Sequence, residues 1–219
     1  HDLGKYDEAM MLFEKGCWIR VKALGDDHPE VGSSYHNMAR VLCKQGKHGE
    51  AMALYEKVLA IKVNAYGKEH ASVANTYANM AEVLVKQGKH EEAMKVQQKV
   101  LSMQIRVYGR DHPKVGHTYY NLSSVSGMLM NFKNMLDFMN KAIEVYSRTY
   151  GETHHETTDA RMKLTMIPVT EVSGGGSAAS TLPSAPCEAF RVRPAEVASP
   201  GMCDEGRLTY VGGTKCLAY

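Results

Sequence analysis

The chain has 219 residues, 44% hydrophobic and 23% charged, with 19 glycines and 7 prolines, which suits one large domain or a domain with a tail and does not suit a collagen-like, coiled-coil or fully disordered chain. A formal net charge of +2 supplies no strong field for a nucleic-acid backbone or an anionic membrane, and no apolar run approaches the roughly 18 residues of a spanning helix. The five cysteines are odd in number and lack C-x-x-C spacing, which argues against a disulfide framework or a zinc site and for a reducing, cytoplasmic setting.

In chain order, the first expected element is a lone helix over residues 1–24, carrying Gly4-Lys-Tyr-Asp-Glu-Ala-Met. That segment returns at Gly46 and at Gly88 with a period of 42 residues, and a second landmark, Gly25-Asp-Asp-His-Pro, returns in phase at Gly67, Gly109 and Gly151. Two punctuation marks with one period indicate a solenoid, whose units bury their apolar faces only by stacking on neighbours. Between the marks the pattern is helical. Tyr35, Met38, Ala39 and Leu42 form one apolar stripe, and Ala51, Leu54, Tyr55, Val58, Leu59 and Ile61 form its partner. These helices are termed A and B. Full A–B pairs are expected near 29–66, 71–108 and 113–150, with a polar capping helix over 155–167, so the chain opens in mid-repeat, as a truncated one would.

Gly46 and Gly88 sit where left-handed caps end helix A, and Pro29 and Pro113 sit where a missing N–H is harmless. The recurring His28, His70, His112 and His154 stand about 10 Å apart in a helical stack, too far to share a metal, and are expected to cap the A helices. The third full repeat is degenerate, with Met130-Asn-Phe-Lys-Asn-Met at its junction and Ser126 where Leu42 and Leu84 stand earlier. Residues 168–219 hold five of the seven prolines and a Gly174-Gly-Gly-Ser run, and are read as a disordered tail. Within it Leu208-Thr-Tyr-Val, Gly212-Gly213 and Thr214-Lys-Cys-Leu match a hairpin, either the opening of a further domain or a chance pattern.

The run Met38-Ala39, Leu42, Gly46-Lys47, Glu50-Ala51 and Tyr55 resembles the tetratricopeptide repeat, and the 42-residue unit with its Tyr-Gly-x-x-His-Pro connector resembles the repeats of kinesin light chains and nephrocystin-like proteins. The resemblance covers residues 1–167. It implies an all-α, right-handed superhelix of antiparallel helix pairs with no strand before residue 168.

No nucleophile elbow, phosphate loop, H-E-x-x-H or dinucleotide fingerprint is present, so neither catalysis, a cofactor nor a small-molecule substrate is expected. Cys17 aligns with Leu59, Leu101 and Ile143 as a core thiol, while Cys43 would need a nearby cation to be reactive. The best functional signal is a polar stripe on the A helices. Asn37, Asn79 and Asn121 recur every 42 residues although asparagine is a poor helix former. By the resemblance, A helices line a concave groove where such asparagines bond the backbone of an extended peptide; the alternative is that they bond neighbouring helices. The same face adds His36 and Arg40, then Asn75, Glu82 and Lys86, then His117 and Tyr120.

The stripe is net basic and would suit an acidic segment, as kinesin light chains take acidic peptides bearing a tryptophan. The expected function is a non-catalytic scaffold for a protein or peptide ligand. A regulatory or sensor segment of a larger enzyme or nucleotide-binding switch protein is the alternative, as is a kinesin light chain-like cargo adaptor, although no heptad coil for a motor chain is present.

Overall fold

The computed structural model describes residues 2–167, and the tail and its hairpin pattern lie outside them. The described residues form eight helices and no strand: α1 (Asp2–Leu24), α2 (Pro29–Lys44), α3 (His48–Tyr66), α4 (Ala71–Lys86), α5 (His90–Tyr108), α6 (Pro113–Met128), α7 (Phe132–Tyr150) and α8 (His155–Thr165). Even-numbered helices are of type A and odd-numbered of type B. Every extensive contact joins chain neighbours, and the largest are the A–B pairs α2·α3, α4·α5 and α6·α7. This nearest-neighbour pattern defines an all-α solenoid.

Each A helix begins with the same device. Nδ1 of His28, His70, His112 and His154 accepts the backbone N–H of Glu30, Ser72, Lys114 and Glu156 at 3.1–3.3 Å, satisfying one of the donors a helix start leaves open. Three of these rings stack on the tyrosine that ends the preceding B helix, with centroids 4.6 Å apart for Tyr66–His70 and 4.4 Å for both Tyr108–His112 and Tyr150–His154. These three histidines therefore join their connectors to the helices on both sides.

The A helices α2, α4 and α6 end in Schellman motifs. Lys47, Lys89 and Asn131 each donate their N–H to a carbonyl five residues back, on Leu42, Leu84 and Ser126, all at 2.9 Å. The motif needs a left-handed residue, supplied by Gly46 (φ 79°), Gly88 (φ 76°) and, in the degenerate repeat, Met130 (φ 58°).

Ala39, Ala51, Ala81 and Ala93 are fully buried where A and B helices meet. In α6 and α7 the sizes are exchanged: Met135 replaces the alanine of Ala51 and Ala93, while Gly127 stands where Cys43 and Val85 stand. A Cβ on Gly127 would lie 3.1 Å from Met135 Sδ. Ser126, at the leucine position, is buried and returns its hydroxyl to Leu122 O at 2.8 Å. At the degenerate junction a larger Met135 thus sits against a smaller Gly127, a paired exchange of the kind that cores tolerate.

Candidate peptide-binding face

The polar stripe lies on α2, α4 and α6, but its members differ in exposure. Asn37 is half-buried and lines a cleft of about 420 Å³ between α1 and α2, with Leu12, Phe13, Arg20 and Ser33 on its walls. Arg40 and Lys86 are exposed, Asn75 and His117 are half-buried, and His36, Asn79, Tyr120 and Asn121 are buried. Lys86 pairs with Glu82 at 2.8 Å, which removes part of the basic character that the sequence suggests.

Asn79 is 5% exposed and its Nδ2 lies 3.1 Å from His36 Nε2, linking α4 to α2. The His36 ring also sets its edge against Tyr55, with centroids 5.4 Å apart. Burial, then Lys62 and Arg40, lower the His36 pKa to about 3, so the ring is neutral at pH 7. The corresponding link two repeats on joins Tyr120 and Lys163, whose ammonium donates to the phenol oxygen. Lys163 stands 42 residues after Asn121 and holds the asparagine position in α8. His117 faces Glu156 at 3.9 Å and Tyr146 edge-on at 5.4 Å.

A second ladder, of hydrogen bonds, links successive helices. Arg20 donates to Ser34 Oγ at 2.9 Å, Lys62 to Thr76 Oγ1 at 3.2 Å, and Thr118 to Gln104 Oε1 at 2.7 Å. Each bond ties a B helix to the next A helix across 14 residues of sequence. Long polar side chains at 20, 62 and 104 with hydroxyls at 34, 76 and 118 keep the 42-residue period, and could have been found by aligning polar as well as apolar positions. Lys62 is buried, and that burial pushes its pKa down to about 8.

Cys17 and Cys43 are free thiols, and burial raises the pKa of both. The cations near Cys43, Lys86 and Lys44, do not offset that burial, so the reactive reading of this thiol is not met.

The sequence profile of the tetratricopeptide repeat matches residues 1–62, 35–105 and 72–133. The chain belongs to the tetratricopeptide repeat family. Two solved structures of a Podospora anserina protein, described as a kinesin light chain with nearly identical TPR-like repeats, are each 22% identical and cover 75% of this chain, one with 77% of its own length and a TM-score of 0.65, the other with 78% and 0.64. BtubC (BKLC) from P. vanneervenii is 17% identical over 82% of this chain and 80% of its own, with a TM-score of 0.60. These likenesses show that this tetratricopeptide repeat domain shares the fold of kinesin light chain-type repeats. No curated protein sequence matches the chain. Tetratricopeptide repeats are protein-interaction scaffolds, and among the described residues no helix is long and apolar enough to cross a membrane.

Proposed function

We propose that the chain is a non-catalytic cytoplasmic scaffold that takes an extended acidic peptide along its A-helix face, with the N-terminal part of that face making the main contacts. The observation that carries this reading is the half-open Asn37 side chain beside exposed Arg40, while Asn79 is buried and already bonded to His36. A primary amide offers a donor and an acceptor to a peptide backbone, and an exposed guanidinium offers forked donors to a carboxylate. Asn75 and Lys86 on α4 continue the face and half-buried His117 extends it onto α6, whereas Tyr120 and Asn121 of the same stripe are buried.

The test is a fluorescence-polarisation screen of extended acidic peptides, each bearing one tryptophan, against the full chain. Binding should weaken with added salt, and Arg40→Glu should lower affinity at least tenfold because it replaces attraction by repulsion. Equal binding of neutral and acidic peptides, or no change in Arg40→Glu, contradicts the proposal.

A further inference from the structure

The middle repeat differs from its neighbours just beneath the A-helix face. Positions 36, 78 and 120 of the A helices stand one 42-residue period apart, as do positions 55, 97 and 139 of the B helices that pack against them. In the first repeat the pair is His36 and Tyr55, whose rings meet edge-on at 5.4 Å, and in the third it is Tyr120 and Met139, which share one apolar cluster. In the second it is Ala78 and Gln97. A methyl group and an amide thus stand at the level where two large side chains meet in the repeats before and after.

Gln97 is 1% exposed, and neither its Nε2 nor its Oε1 has a hydrogen-bond partner among the described residues. An amide buried in this way costs stability, because it gives up water and gains nothing in return. Packing alone is met here by an apolar side chain, as Met139 shows one repeat on. Between Gln97 and the groove the register places the Ala78 methyl group, with half-buried Asn75 and Glu82 about one turn to either side of it on α4. The Gln97 side chain is long and unbranched, so its amide can turn toward a group arriving over Ala78.

We propose that Gln97 is a specificity-determining residue of the groove and receives, over Ala78, a primary carboxamide: the side chain of an asparagine or glutamine in the bound peptide. The inference rests on the extended-peptide reading above and adds a residue preference to it. The ligand chemistry follows from both amide atoms being unpartnered. A carboxylate only accepts and would leave Oε1 unpaired, and an ammonium only donates and would leave Nε2 unpaired. A planar carboxamide meets both at once with two parallel hydrogen bonds. The preference is therefore for a neutral amide at one point of an otherwise acidic peptide. The His36–Tyr55 and Tyr120–Met139 pairs offer no such amide, so the preference falls at a single position.

The test captures a pool of synthetic random peptides, each with one fixed tryptophan, on the immobilised full chain and sequences what is retained. Asparagine or glutamine should be enriched over aspartate and glutamate at one fixed distance from the tryptophan, by about tenfold, the worth of a pair of buried hydrogen bonds. Gln97→Met copies the residue of the next repeat, and should abolish that enrichment while melting at or above the wild-type temperature, since it removes an unpaired amide. Gln97→Leu replaces it should the methionine variant melt early. Carboxamide enrichment that is absent, or that survives the substitution, overturns the proposal, as does a melting temperature that falls in both variants, which would show the amide to be satisfied within the fold. Acidic enrichment without a carboxamide position leaves the groove reading standing and overturns this one. A carboxamide position that depends on Gln97 without acidic enrichment upholds this one and overturns the acidic preference. Retention of no sequence overturns both.

Discussion

His36 is the residue whose chemistry depends most on its burial. Its Nε2 is engaged by Asn79, and its Nδ1 has no hydrogen-bond partner among the described residues. With a folded pKa near 3 against about 6.5 in the unfolded chain, the unfolded state takes up a proton that the folded state refuses. The stabilising contribution of the neutral ring is therefore complete above pH 6.5 and is lost as pH falls toward 3, at about 1.4 kcal/mol per pH unit. Denaturant melts at stepped pH should show this slope, and His36→Gln, which keeps a hydrogen-bonding amide but cannot titrate, should remove about one proton from it. An unchanged slope contradicts the assignment. The His36–Asn79 link could not be read from the sequence, because it spans 43 residues and exists only once two A helices lie side by side. The asparagine repeat was visible; which asparagine remains open was not. Gln97 was equally hidden: it stands where other repeats carry Tyr55 and Met139, and its amide is buried without a hydrogen-bond partner among the described residues.

At the scale of the helix, most of the structure was legible because its boundaries are local. A histidine that caps its own helix, a proline in the first turn and a glycine in a Schellman motif each act within about six residues, so their recurrence fixes helix type and ends together. The α6–α7 junction was harder, because the exchange of Ala93 and Val85 for Met135 and Gly127 is compensated across two helices rather than along one. At the same junction Met130 is left-handed at φ 58° and 56% exposed, so it incurs strain with little packing in return. Met130→Gly should raise stability by about 0.5–1 kcal/mol, the relief of left-handed strain less the added freedom of the unfolded chain. Thermal or urea melts check this, and a lower midpoint would show that the methionine side chain contributes more than its exposure implies.

For the whole molecule, stability is close to a sum over repeats and their nearest-neighbour contacts. The polar ladder from Arg20–Ser34 through Lys62–Thr76 to Gln104–Thr118 ties each B helix to the next A helix, while under the proposed function the asparagine positions divide into links between helices and contacts to a peptide. Asn79, bonded to His36 of α2, is a link, and half-buried Asn37, which lines the α1–α2 cleft, is proposed as a contact. The most direct test of that division measures melting temperature and affinity for the selected acidic peptide side by side in Asn37→Ala and Asn79→Ala. Asn37→Ala should melt with the wild type and bind about tenfold to a hundredfold more weakly, through loss of about 1–3 kcal/mol of hydrogen bonding. Asn79→Ala should lose about 1–3 kcal/mol of stability by stranding His36, with peptide affinity nearly unchanged at temperatures where it is folded. An Asn79→Ala chain that melts with the wild type yet loses the peptide, beside an Asn37→Ala chain that binds normally, would contradict the account.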